Sequence, residues 1–159
     1  MKSNSAMNRL LAAVGPLPPL CLELKRIADE GFNGKDDCFF LTALLRKAGS
    51  VTRSRFYDRT GYECFVNSLH IEDYDNRAPL EQAIQFVSYV FGAWQLLGSS
   101  VSLVAVVNVD EFGVIVRFHS KRPTEQWLSD NIEAYSDPTM SVESHESLAA
   151  IFQHSQQSG

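Results

Sequence analysis

No apolar run in this sequence is long enough to cross a bilayer: the longest, Val101 to Val109, is interrupted by Ser102 and Asn108 and falls well short of the ~20 residues a spanning helix needs. Cysteine is scarce, with three in 159 residues and no CxxC spacing, which argues against a disulfide frame and for ordinary thiols in a reducing compartment. GxSxG, GxxxxGK[ST], GxGxxG and HExxH are all missing. The usual hydrolase, nucleotide, dinucleotide and zinc-protease routes therefore lack their elbow, phosphate cradle or ligand pair. Basic residues also run short in the later part. Residues 1–61 hold ten Lys/Arg and six Asp/Glu, a formal +4, while residues 62–159 hold four against thirteen, a formal −9, which together give −5. An acidic surface on a well-patterned chain favours a basic partner and disfavours direct nucleic-acid binding.

What is present is ample for one core: 45% hydrophobic and 11% aromatic residues argue against disorder. One domain over residues 1–159 is expected, with 1–18 as a loose N-terminal segment and 153–159 as a loose polar tail. Lys2 and Arg9 precede Leu10 to Val14 somewhat as in an export signal. That run stops at Gly15-Pro16, however, and Leu20 before Cys21 is not the small residue that lipoprotein processing prefers, so a cytoplasmic location is expected.

Pro16, Pro18 and Pro19 predict an extended connector. A short helix follows from Leu20, with Leu20, Leu24, Ile27 and Ala28 at helical spacing and Gly31 as its left-handed stop. Asp36 and Asp37 read as N-caps of a helix over Cys38 to Ala48. The pattern then turns to period two, predicting a hairpin of Arg53 to Tyr57, a Thr60-Gly61 turn and a strand from Tyr62 to Ile71, with a helix over that stretch as the alternative. Pro79 opens a long core helix carrying Leu80, Ala83, Ile84, Val87, Val90, Phe91, Trp94 and Leu97. Val101 to Val109 and Val114 to His119 form a second hairpin about Asp110 to Gly113. Thr124 caps a last helix through Trp127, Leu128, Ile132 and Tyr135, and a short strand near Met140 to Glu143 and a helical turn around Leu148 to Phe152 close the fold. Hairpin, helix, hairpin implies an α+β fold, an antiparallel sheet with helices on one face.

Several constellations admit chemistry. His70 beside Glu72 and Asp73 has the residue types of an acid/base pair or a metal site, though a third or fourth ligand is missing. Cys64 with His70 or His119 has the types of a thiol and its base, against the commoner reading of a small core residue. Arg53, Arg55 and Arg59 with Phe56 and Tyr57 resemble a nucleic-acid surface, or else an edge guarded by charge. His119, Lys121, Arg122 and Trp127 form a second basic-aromatic cluster. The broadest signal is the set of carboxylates Glu72, Asp73, Asp75, Asp110, Glu111, Asp130 and Glu133, which suits steering and docking of a basic protein.

In size, acidity and lack of motifs the chain resembles the bacterial immunity proteins paired with polymorphic toxins, above all in Gly61 to His70 and in Val116 to Pro123 with Trp127-Leu128. The resemblance implies a toxin partner, such as a basic nuclease whose groove the carboxylates occlude. The reading is a non-enzymatic binding protein with those seven carboxylates as its partner-binding residues and no metal or cofactor. The alternatives are a secretion-chaperone-like adaptor, marked by an exposed apolar patch and dimerisation, and a small enzyme using His70 with Glu72 or Asp73.

Overall fold

The valine-rich runs pair as their alternation predicts. β5 (Leu103–Asp110) and β6 (Gly113–Ser120) form an antiparallel hairpin in register from Leu103 opposite Ser120 to Asp110 opposite Gly113. β7 (Thr139–Glu143) pairs with the other side of β5, β1 (Lys2–Ser3) lies outside β7, and β4 (Ser68–His70) lies outside β6. The result is a five-stranded antiparallel sheet in the order β1-β7-β5-β6-β4, beside a separate two-stranded sheet of β2 (Phe32–Lys35) and β3 (Cys38–Leu41). The computed structural model describes residues 1–146 and 148. Apart from buried Leu148, the expected closing turn to Phe152 and the tail from residue 153 lie outside the described residues. With five α-helices among the described residues, the fold is α+β, as expected.

The register places Leu103, Ala105, Val107, Val116, Phe118, Met140 and Val142 on one face of the sheet, all of them buried in the main core. α1 (Ser5–Ala12), α2 (Leu22–Asp29) and α5 (Pro79–Gln95) contribute their apolar residues to this core. α5 buries Ala83, Ile84, Val87, Val90, Phe91 and Trp94 of the expected stripe and Phe86 besides, but it ends at Gln95, and Leu97 beyond it is exposed. The Trp94 indole N–H donates to the Val101 carbonyl at 3.1 Å, so the ring packs without a lost hydrogen bond. The first 18 residues are not loose. β1 joins the sheet edge, Asn4 caps α1 by accepting the Met7 N–H at 2.9 Å, and Met7 is fully buried. The proline connector is also held, because the Gln82 side chain accepts the Cys21 N–H at 3.0 Å and donates to the Pro19 carbonyl at 2.8 Å.

Three local expectations are corrected. The predicted first hairpin is a 3-10 turn, Arg53–Arg55, followed by α4 (Arg59–Val66), and only Ser68–His70 of its second strand is extended. Asp58 caps α4 by accepting the Gly61 N–H at 2.7 Å, so Thr60-Gly61 is a helical first turn. Asp36 and Asp37 are not helix caps. Both have positive φ, 55° and 58°, and they form the two-residue turn between Lys35 and Cys38, a conformation that Asp tolerates better than most residues. The helix behind them, α3 (Thr42–Ala48), begins four residues later than expected. Finally, the stretch from Thr124 to Tyr135 has only a 3-10 turn at Ile132–Ala134. Ser129, Asp130 and Asn131 are poor helix formers, and Arg122 and Glu125 tie the chain before them to α4.

Candidate functional site

The predicted carboxylates divide by place. Glu72 lies in a 3-10 turn, Ile71–Asp73, and its Oε1 accepts the Val114 N–H at 2.7 Å, which brings that turn against the start of β6. A Cβ on Gly113 would fall on this carboxylate, and Gly113 also has φ of 131°, so any other residue is strained at this position. Asp110 Oδ1 accepts the Phe112 and Gly113 N–H groups at 2.8 and 3.0 Å, and Asp75 Oδ1 accepts the Arg77 N–H at 2.8 Å. Three of the seven, Glu72, Asp110 and Glu111, are thereby gathered at the end of the sheet where β5 turns into β6, and Asp73 and Asp75 follow Glu72 at and beyond the end of its 3-10 turn. At the tip of that turn Phe112 is 77% exposed.

The other two lie elsewhere. Glu133 Oε1 accepts the N–H and hydroxyl of Ser5 at 2.8 and 3.1 Å, a site at the start of α1 where a carboxylate complements the helix dipole. Asp130 is exposed and lines a cleft on the outer face of the sheet. Asp73 and Glu111 are exposed and make no hydrogen bond among the described residues. The set thus contains four carboxylates with work inside the fold and three free to meet a partner.

His70 and Asp73 line one shallow groove beside β4. Cys64, in contrast, is fully buried within α4, and burial drives its thiol pKa far upward, with the Glu63 carboxylate adding to the effect. Its thiolate is inaccessible as a nucleophile. Of the arginine cluster, Arg53 donates to the Phe56 carbonyl at 2.9 Å and Arg59 pairs with Asp37 at 3.7 Å, while Tyr57 is wholly exposed.

Sequence reasoning missed Glu63. Its carboxylate is completely buried and accepts the Phe39 N–H at 2.8 Å, the Ser120 N–H at 3.0 Å, the Ser120 hydroxyl, and Arg122 Nη1 at 2.5 Å. It therefore fastens α4 to β3, to the end of β6 and to the chain that leaves it. Glu125 reinforces this by accepting the Thr60 N–H at 2.9 Å. Desolvation opposes its ionisation, but the Thr60 hydrogen bonds and Arg122 prevail and hold its pKa low. A Glu inside a run of buried residues, Tyr62 to Cys64, was the available signal, since an ionised side chain there needs partners.

From this anchor, residues 121–132 arch over the outer face of the sheet, enclosing a cleft of about 690 Å³. Its floor carries His119, Val104 and Glu143 side by side on β6, β5 and β7. Burial lowers the His119 pKa, and the neutral ring's Nδ1 donates to the Ser120 carbonyl at 3.0 Å. Glu143 is held ionised by Lys121, 2.8 Å away. The Arg117 guanidinium sits 5.5 Å from the Trp127 ring centre. Glu143, His145 and Glu146 bring ligand atoms within 4.8 Å of one another, but the two carboxylates already face Lys121 and the Met1 amine. Among the described residues no helix is long and apolar enough to cross a membrane.

No curated protein and no solved structure matches the chain. The model of the Uncharacterized protein PM0498 family matches residues 2–157, and the chain belongs to that family.

Proposed function

We propose that this member of the family is a non-enzymatic binding protein of the immunity type, which holds a basic partner protein against the acidic end of its sheet. The observation that carries the reading is the arrangement around the β5–β6 turn. Phe112 projects 77% exposed beside Glu72, Asp110 and Glu111, with Asp73 and Asp75 following Glu72 along the chain. An exposed aromatic supplies the apolar anchor that interfaces concentrate at their centre. The surrounding carboxylates supply steering and discrimination against acidic competitors. Glu72 and Asp110 also fix the turn through their hydrogen bonds to Val114, Phe112 and Gly113, so Phe112 is presented on a preorganised support.

The partner is a protein with a basic face, and a toxin or effector made by the same cell fits that chemistry. Affinity capture from an extract of the source organism tests the reading. The wild-type chain is expected to retain a basic protein that raised salt releases. The Phe112→Ala variant and the Asp73→Lys/Glu111→Lys variant, with thermal midpoints equal to wild type, are expected to lose it. A bound protein retained equally by all three would place the interface elsewhere.

A further inference from the structure

β4 is an open edge of the sheet. The Phe118 N–H donates to the Asn67 carbonyl at 3.1 Å, and hydrogen-bonded pairs alternate along antiparallel strands, so Leu69 and Val116 form the next such pair in the register. The N–H and C=O groups of Ser68 and His70 therefore point away from β6. The His70 C=O is taken up as the N-cap of the 3-10 turn Ile71–Asp73, but among the described residues no turn, cap or side chain reaches the Ser68 N–H and C=O or the His70 N–H.

A groove of about 310 Å³ runs along this edge, walled by Leu44 and Ala48 of α3 and by Phe65, His70 and Tyr74. Phe65 is 56% exposed, an unusual state for a phenylalanine on a helix that otherwise buries its neighbours. Asp73 also lines the groove, and the turn holding it continues into the acidic end. Lys47, the one cation in the wall among the described residues, is turned to Tyr74, with its Nζ 3.3 Å from the hydroxyl and 5.5 Å from the ring centre.

Unpaired main-chain groups on an exposed edge are a template for another strand. We propose that an extended segment of the basic partner adds to β4 as a sixth strand, exchanging main-chain hydrogen bonds with the N–H and C=O of Ser68 and offering an acceptor to the His70 N–H. The inference rests on the partner reading above and specifies how that partner is held. Side chains alternate across the pleat, so the segment places apolar residues on the Leu69 side of the edge and lysines or arginines on the His70 side, next to Asp73.

The test uses an acetylated, amidated (Val-Lys)4 peptide and amide spectra of the intact chain. Without peptide, the Ser68 and His70 amides are expected to exchange freely with solvent. With peptide they shift and their exchange slows about tenfold or more. Methylating alternate peptide nitrogens is expected to abolish the effect, as is His70→Pro. That proline removes only an outward-facing N–H and leaves the thermal midpoint unchanged, whereas His70→Ala keeps binding. Protection of the two amides before peptide is added, no change at β4 at millimolar peptide, or equal binding of the methylated peptide would each overturn the sixth strand. A partner captured through Phe112 while β4 stays inert removes this inference and leaves the partner reading intact. Failure to capture any partner removes the reading whatever the peptide does.

Discussion

Replacing Glu63 by alanine should be among the most damaging single changes in the chain. The substitution removes one completely buried carboxylate and strands four groups at once: the Phe39 and Ser120 N–H groups, the Ser120 hydroxyl and the Arg122 guanidinium. The Arg122 side chain is only 14% exposed, so water cannot fully replace its partner. Breaking a buried ion pair from one side costs about 3–5 kcal/mol. For a chain of this length that corresponds to a fall of about 6–20 °C in Tm. Glu63→Gln keeps the shape and some of the acceptor capacity but loses the charge, with an expected loss of about 1–3 kcal/mol. The pair Glu63→Leu/Arg122→Met should be clearly less damaging than the sum of its single changes, because neither residue then leaves the other uncompensated. Urea unfolding of the five variants, followed by far-ultraviolet circular dichroism, gives these values. A loss below about 1 kcal/mol for Glu63→Ala would refute the claim that this carboxylate fastens α4 to the sheet.

Gly113→Ala should destabilise by about 1–3 kcal/mol, because it combines a positive φ with a clash against Glu72; adding Glu72→Ser should relieve only the clash, as thermal melts would show. In native protein a thiol reagent at pH 8 should modify Cys21 alone at an appreciable rate. Cys38 and Cys64 are buried, with the Cys38 pKa pushed up to about 11 by burial and by Glu63, so all three should react only in denaturant. Stability should fall in two stages on acidification. His119 has a folded pKa depressed by burial, so the unfolded state takes up more protons and its contribution, full above pH ~6.5, is lost as pH falls from there through the lower folded pKa. Glu143 and Glu125 also have depressed pKa values in the folded chain, and their contribution is lost below the ordinary carboxylate range near pH ~4.3. Titrating ΔG of unfolding against pH for wild type and His119→Phe should remove the first stage alone.

The sheet's central hairpin and α5 were legible because their patterns are long and agree with their punctuation: valine alternation around Asp110 to Gly113, and an apolar stripe opened by Pro79. The errors fell where burial surrounds an element. α4 is enclosed on most of its sides, so its residues show no polar face, and Tyr62, Cys64 and Val66 imitate a strand by chance. Asp36-Asp37 carry two compatible meanings, helix cap and left-handed turn, and pairing of Phe32–Lys35 with Cys38–Leu41 decides between them. The chain over Thr124 to Tyr135 follows tertiary anchors that no local period encodes. In the site, charge composition pointed to the carboxylates, but it did not separate those that cap turns and helices, such as Glu72 and Glu133, from those left facing outward. The exposed Phe112 became meaningful only once the register placed Glu72 beside Gly113.

The proposed function depends on a basic protein docking on the end of the sheet where Phe112 projects. A photo-crosslinking amino acid placed at position 112, and separately at 96, tests it in living cells of the source organism. Leu96 is 90% exposed and follows α5, at the opposite end of β5. One discrete adduct with a basic protein is expected at position 112 and none at 96. No adduct at 112, or the same adduct at both positions, would contradict it.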